Sequence, residues 1–381
     1  MEYRVLGRTG LRVSEIGMGC EGFVDKPYEE VLALVDAMEA GGINIVDLYT
    51  PDPSVRSHLG RALRGRREKF ILQAHLCTIW KDGQYKRTRA MEEVRAGFTD
   101  QLERLETDHV EIGMIHYADT RADWEKILTG GVMDYAKELK AAGVIRHIGL
   151  SSHSAEVSLA AVEARLIDVL MFSVNPCYDL LPGDRDIEAL GAVESYQAPL
   201  LNMDPQRQAL YETCQRLGVG ITVMKAFGGG DLLSDLGPAG MALTVDQCLH
   251  YALTRPAVAS VLAGAKTGEE LARSLAYETA SPEERDYAAA LAALPKISWK
   301  GHCMYCGHCA PCPQGIDVAA VTKFLNLCRA QGSIPETVRE HYAALAHKAG
   351  ECIACGACEK RCPFAVPAVE NMKAAAGLFG C

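Results

Sequence analysis

Short apolar runs rich in β-branched residues recur along the chain. Longer segments separate them, in which apolar residues return every three or four positions. The runs are VSEIGMGC (13–20), NIVDLY (44–49), KFILQAHL (69–76), VEIGMIHY (110–117), IRHIGLSSH (145–153), DVLMFSVN (168–175), GITVMKAF (220–227) and ASVLAGAK (259–266). Each has the length and near-continuous apolarity of a strand buried on both faces. The segments between them, such as YEEVLALVDAMEAG, AMEEVRAGFTDQLERLE and DQCLHYALTR, carry the helical period, and several stop at Gly or at Pro, as at Arg255-Pro256. Eight strands alternating with helices predict a (β/α)8 barrel, with a doubly wound open sheet as the alternative. The opening YRVLGRTGLRVS reads as a hairpin turning at Thr9-Gly10 and covering one end of the barrel.

Two stretches break the rhythm. The connection from Asn175 to Asp204 far exceeds the roughly 2–6 residues usual for such loops. Loops at the C-terminal ends of barrel strands build active sites, so this one is a candidate lid, with a short helix expected around Ile187 to Leu190. A decorative insertion is the alternative. After LPKISWKG the barrel pattern stops. The expected boundaries are a barrel domain at 1–298 and a cysteine-rich module at 299–381, with a helical middle from Val318 to Ala346.

Composition narrows the function classes. The chain has 381 residues, 49% of them hydrophobic and 23% charged, with net charge −10 and scattered basic residues. That suits a large domain plus a small one and argues against nucleic acid or an anionic membrane as partner. The N-terminus MEYRVLGRTG lacks the apolar core of a signal peptide, and no run is long enough to span a membrane. A cytoplasmic location is therefore expected. Fifteen cysteines in such a compartment point to metal ligation or redox work rather than disulfides.

Eight of those cysteines fall in two runs. Cys303, Cys306, Cys309 and Cys312 step by three and close in Cys-Pro; Cys352, Cys355 and Cys358 step by three, and Cys362 follows after three intervening residues, again before Pro. The second run is the C-x2-C-x2-C-x3-C-P pattern of two-cluster ferredoxins. Three close thiolates occupy three corners of a [4Fe-4S] cube, and the fourth ligand comes from the other run. The expected ligand sets are Cys303, Cys306, Cys309 and Cys362 for one cluster, and Cys352, Cys355, Cys358 and Cys312 for the other. Structural zinc, with ligands in separated pairs, fits the spacing poorly. The other seven cysteines (Cys20, Cys77, Cys177, Cys214, Cys248, Cys328, Cys381) have no ligand spacing and read mostly as core residues.

Polar residues gather where the predicted strands end: Cys20 and Glu21, Asp47 and Tyr49, His75, His116 and Tyr117, Ser151 and His153, Asn175, Lys225, and Lys266. A lone histidine after a strand is usually structural. Eight strand ends in register are a candidate active site. Asp47, Tyr49, His75 and His116 supply acid–base chemistry, Lys225 a cation, and the Gly264–Lys266 turn a phosphate-binding group.

The stretches YRVLGRTGLRVSEIGMGC, GINIVDLYTPDPSVRSHLGRAL, HVEIGMIHY, GVIRHIGLSSHS and GVGITVMKAFGGGDLL together resemble the aldo/keto reductases. With the cysteine-rich tail, the chain resembles the branch that carries a C-terminal 4Fe-4S domain. The resemblance implies a (β/α)8 fold and nicotinamide-linked redox chemistry. Of the family's Asp, Tyr, Lys and His tetrad, Asp47 and His116 match. The tyrosine position is occupied by Asp52, the lysine position by His75, and the glutamine that holds the nicotinamide amide by Met171. Gly229 and Gly230 match the glycines after the seventh strand. Gly264 and Lys266 match the phosphate turn after the eighth, followed by Arg273 and Ser274 where an acidic and amide pair is usual. With Ser151, Asn175 and Lys225, these are the candidate cofactor contacts.

Four readings follow. The leading one is an oxidoreductase that reduces a small organic substrate with two [4Fe-4S] clusters, NADP(H) being admitted but not required. The second is an NADPH-dependent carbonyl reductase with the tetrad roles moved to His75 and Asp52. The third is a non-redox lyase or isomerase using Asp47, His75 and His116, with structural clusters; the fourth is an electron carrier with an inactive barrel. No flavin motif is present. The leading reading admits an external donor of the ferredoxin or flavodoxin kind, an oligomer, and an anaerobic setting.

Overall fold

A computed structural model describes residues 1–179, 204–234, 242–288, 290, 303, 309–331, 334, 336–362 and 365–380. The chain divides into two compact units.

The first unit is a closed, all-parallel barrel. Its strands are β3 (Ile16–Gly19), β4 (Ile45–Leu48), β5 (Ile71–Leu76), β8 (Val110–Ile115), β9 (Ile145–Ser152), β10 (Val169–Ser173), β11 (Gly220–Met224) and β12 (Val258–Ala263), in that order around the ring. Seven of the eight expected runs contain one of these strands and the eighth overlaps β12, which begins one residue earlier, at Val258; the ring is closed, so the open sheet is excluded. Every residue of β8 and of β12 is buried, as a strand between a packed interior and an outer layer of helices must be. The observed strands stop short of the expected ones at their C-terminal ends. Tyr117 and Lys225, just beyond β8 and β11, sit at φ of 51° and 61°, turning the chain out of the sheet at the rim.

Two antiparallel hairpins are added. The expected one pairs β1 (Tyr3–Val5) with β2 (Arg12–Ser14), and Gly10 supplies the left-handed turn residue. It seals the N-terminal end of the barrel: Leu6 and Val13 are fully buried in one cluster with Ile45, Ile112 and Val169. Gly7 is required there, because a Cβ would lie 2.3 Å from the Gly220 nitrogen. The other hairpin, β6 (Thr78–Lys81) and β7 (Gln84–Arg87), follows β5 and was not anticipated from the pattern. Its two-residue turn, Asp82-Gly83, has φ of 53° and 76°, the left-handed pair that matches strand twist. Lys81 and Lys86 both bond Glu93 on the helix Met91–Arg104, holding the hairpin on that helix.

Residues 180–203, which include the expected lid and its helix, lie outside the described residues. The two ends of that connection are tied together. Asp204 donates its N–H to the Asp179 carbonyl at 2.7 Å and caps the helix Pro205–Leu217. The fully buried Asp179 carboxylate accepts from Arg207 Nε (2.7 Å), Tyr211 (2.7 Å) and Tyr251 (3.0 Å).

The second unit is helical where it is described: Val318–Gln331, Glu336–Ala344, Ala357–Arg361 and Ala368–Phe379. The first two lie within the expected helical middle. Val321, Leu325, Tyr342 and Met372 form its core, and Tyr342 stacks on Phe379 with ring centroids 4.0 Å apart. Among the described residues, no helix is long and apolar enough to cross a membrane.

Removing one partner of a buried ion pair strands the other. Arg207→Met is therefore expected to cost about 3–5 kcal/mol, read as a fall in the urea midpoint. Adding Asp179→Leu should recover part of that loss, because the orphan carboxylate is then gone.

Candidate active site

Strand periodicity builds the site. Gln73 and His75, two apart on β5, face the barrel interior together, and Asp47 on β4 pairs in register with Gln73. His116 follows β8 and extends the ladder by donating its N–H to the Leu76 carbonyl at 3.2 Å. Asp47 and His75 are each 1% exposed and His116 7%. A carboxylate this deep needs donors, and it has two: Gln73 Nε2 at 2.7 Å and His75 Nε2 at 2.9 Å, both on Oδ1. Gln73 in turn accepts from Thr222 on β11, directly across the barrel, at 3.1 Å.

The chain of bonds continues outward. His75 Nδ1 and His116 Nδ1 are 2.8 Å apart, and His116 Nε2 is 2.8 Å from the Tyr85 hydroxyl. With both rings neutral only one set of protons satisfies all of these contacts. The carboxylate accepts from His75 Nε2–H, His75 Nδ1 accepts from His116 Nδ1–H, and His116 Nε2 accepts from the Tyr85 O–H. His116 is held well below the usual histidine range, first by burial, then by His75 and by Arg89 and Arg87.

Three tyrosine rings surround His116. Tyr49 stacks on it at 5.8 Å with planes 3° apart, Tyr85 meets it edge-on at 5.9 Å, and Tyr117 is tilted at 6.0 Å. Their hydroxyls differ. Burial, then the Glu21 carboxylate, pushes the Tyr49 phenol far above the usual range. Tyr117 is pushed up to about 12, by burial first and then by the Asp119 carboxylate. Of the three, Tyr85 is the one bonded to His116. Arg87 and Arg89 fix the end of its hairpin, both donating to the Tyr117 carbonyl at 2.9 and 2.8 Å.

Of the expected acid–base residues, Asp47, His75 and His116 are thus joined, whereas Tyr49 meets His116 through its ring. Asp52, the reassigned acid of the second reading, is a helix cap. Its Oδ1 accepts from Ser54 N at 2.8 Å and Val55 N at 3.1 Å, an acceptor's role rather than an acid's. Cys20 is buried, and burial, then Asp47, raises its thiol well above the usual range. Ser151 steadies the rim by accepting from the Tyr117 N–H at 2.8 Å, and His153 bonds Asp119 at 3.0 Å. Asn175 donates to the Lys225 carbonyl at 2.8 Å and accepts from Tyr178 N at 3.1 Å. The Lys225 and Lys266 side chains are exposed. Gly229 and Gly230 form a left-handed turn at φ of 75° and 102°, with open space where a Cβ would be; Gly264 has the same open space. Gln73, Thr222 and Tyr85 were missed. Gln73 was legible two residues before His75, and Asp82-Gly83 announces the hairpin that carries Tyr85.

In the second unit, Cys312 from the first cysteine run and Cys352, Cys355 and Cys358 from the second line one apolar recess with Ile316, Val318 and Met372. Arg361 links the runs elsewhere by donating to the Cys309 and Pro311 carbonyls, each at 2.6 Å. Its neighbour Cys362 receives the Val366 N–H at 3.5 Å on sulfur. Cys306 lies outside the described residues. Among those described, no three Cys, His, Asp or Glu side chains are gathered as for a single metal ion. Cys20, Cys77, Cys214, Cys248 and Cys328 are buried, as expected of core cysteines.

A histidine neutral in the native state takes up a proton on unfolding below its free pKa of about 6.5. The unfolded chain then binds more protons, so His116 makes stability fall as pH drops through that value. Urea titrations from pH 8 to 5 should show this loss, and His116→Gln should flatten it.

The family model described as the aldo/keto reductase family matches residues 15–237. An uncharacterised oxidoreductase of Bacillus subtilis, YqkF, is 26% identical over 293 residues, 72% of this chain and 90% of its own. The crystal structure of PA4992 from Pseudomonas aeruginosa, assigned to the aldo-keto reductases, superposes with a TM-score of 0.56 at 26% identity, covering 72% of this chain and 94% of that one. Aldo-keto reductase AKR11C1 from Bacillus halodurans shares the fold, with a TM-score of 0.59 at 22% identity over 79% of this chain and 99% of its own. Since the matched residues make up more than half of its length, the chain belongs to the aldo/keto reductase family.

Proposed function

We propose that this oxidoreductase reduces a small organic substrate at the barrel's C-terminal mouth, drawing electrons from two [4Fe-4S] clusters held by the cysteine module. The observation that carries the reading is the recess where Cys312 meets Cys352, Cys355 and Cys358. These are the four ligands that spacing alone assigns to one cluster. An apolar pocket lined by thiols from two separate runs suits a cube better than a zinc ion, whose four ligands close on one point. Cys303, Cys306, Cys309 and Cys362 would hold the other cluster, and the Arg361 bond to Cys309 supports their nearness. Bound there, such clusters supply electrons one at a time. Spacing sets the proposed domain limits at 1–298 and 299–381.

The barrel residues suit the proton side of the reaction. Asp47, His75 and His116 lie on a continuous hydrogen-bonded path, and His116 is neutral near neutral pH. A second reading, carbonyl reduction by NADP(H), draws support from the open turn at Gly229 and Gly230, where a dinucleotide can approach the backbone, although the Gly230 N–H is bonded to the Phe227 carbonyl at 2.9 Å. Gly264 and Lys266, with Ser151, Asn175 and Lys225, would complete that site. Against it, both amide atoms of Asn175 are already bonded and Met171 offers no amide.

Anaerobically reconstituted protein is expected to hold about eight iron atoms per chain, and Cys312→Ser to lose about half of them. Dithionite should bleach the cluster absorbance, and adding a carbonyl substrate should restore it without NADPH. Iron-free protein, or turnover only with NADPH, would overturn the reading.

A further inference from the structure

We propose that Tyr85 hands the proton to the substrate, as the outer end of a relay that begins at the Asp47–His75 pair. This rests on the reductive reading above and supplies its proton donor. Exposure rises along the bonded path: 1% at Asp47 and His75, 7% at His116, and 42% at Tyr85. The path therefore starts in the barrel interior and ends at a phenol that an incoming molecule can touch. Tyr49 and Tyr117 flank the same imidazole with their rings, but of the three tyrosines Tyr85 is the one whose hydroxyl bonds it. Asp52, where the resemblance puts the proton-donating tyrosine, is committed to its helix. The hairpin after β5 brings a phenol to the site from a different loop.

The step moves one proton and no electrons. In the loaded state His75 carries protons on both nitrogens, and its charge faces the Asp47 carboxylate. Its Nδ1–H points to His116 Nδ1, the His116 Nε2–H points to the Tyr85 oxygen, and the Tyr85 O–H points to the substrate oxygen. As that O–H bond breaks and one forms on the substrate, the His116 Nε2 proton moves to the phenol. The His75 Nδ1 proton moves to His116. Tyr85 ends as a phenol, His116 has exchanged one neutral tautomer for the other, and His75 is neutral with its Nε2–H still on Asp47. The Asp47 carboxylate then rests on its two neutral donors, Gln73 and His75, and the suppressed basicity of His116 is what a ring that only relays requires. The substrate's two electrons come from the one-electron iron–sulfur carriers of the reductive reading, and the second proton, which forms the C–H bond, comes from solvent water.

The test uses the full-length, cluster-loaded chain under anaerobic conditions, with benzaldehyde as the carbonyl probe and titanium(III) citrate or, separately, NADPH as reductant. Tyr85→Phe should lower kcat about 100-fold or more with KM little changed. Placing 3-fluorotyrosine at position 85 should keep most of the activity and move one limb of the pH–rate profile to lower pH. A kcat within about twofold of the parent in Tyr85→Phe, or a limb that stays in place, overturns the assignment. A readout free of turnover runs beside it: 15N NMR of the histidines, with His116 identified through His116→Gln. Tyr85→Phe should shift the His116 Nε2 resonance as its donor is lost, and an unchanged resonance overturns the proposal. If the parent protein reduces the probe with neither reductant, the reductive reading fails, and the NMR result alone decides whether Tyr85 ends the relay.

Discussion

The Asp47 carboxylate inside the barrel constrains everything around it. An isolated carboxylate there would cost several kcal/mol, and two donors on one oxygen are what make its burial tolerable. Those donors dictate the neighbouring choices. Gln73 must present its N–H to Asp47, which turns its carbonyl toward Thr222 on the far side of the barrel. His75 must present Nε2–H, which leaves Nδ1 as an acceptor and fixes His116 in turn. A single buried charge thus orders side chains from β4, β5, β11 and the end of β8, and it sets the direction in which every proton points.

On the resemblance, His75 stands where the family's tetrad has a lysine. A lysine in the barrel would be a permanent cation beside Asp47. A histidine is charged only while it holds a spare proton, and it has a second nitrogen through which that proton can leave. On the proposed relay, a histidine there would be a link in a chain rather than a static electrostatic aid, and the hairpin would supply the chain's terminal group. Lys81 and Lys86 bind it to Glu93, and Arg87 and Arg89 bind it to the Tyr117 carbonyl, so the tyrosine it carries is held firmly over the imidazole.

The barrel was legible because parallel strands buried on both faces are written as apolar runs, and the helices between them stop at Gly or Pro. The strand ends named Asp47, His75 and His116 for the same reason: a polar residue that closes an apolar run faces the rim. Tyr85 was hidden because its hairpin is short and polar, with Gln84, Lys86 and Arg87 around the tyrosine, and no alternation of core and surface distinguishes it. Tyr49 misled for a related reason. Its place two residues after Asp47 gives the direction of the ring, but not whether the hydroxyl meets a histidine or, as here, a carboxylate. Asp52 read as a displaced acid, yet Asp before Pro at the start of a helix is a capping signal that the chain itself displays.

The cysteine module follows a different logic from the barrel. Among the described residues its core combines Ile316, Val321, Leu325, Tyr342 and Met372 with Ala349, Ala368 and Ala375. Cys309, Cys312 and Cys352 pack against that core, and Cys358 is part of it. On the proposed function, a group bound by those thiols would add folding energy to this core, as in small metal-binding domains. Ligands drawn from both runs would draw the start and end of the module together through the bound group. On that account the proposed clusters act as core as well as cofactor, and the module's architecture depends on them even before an electron moves.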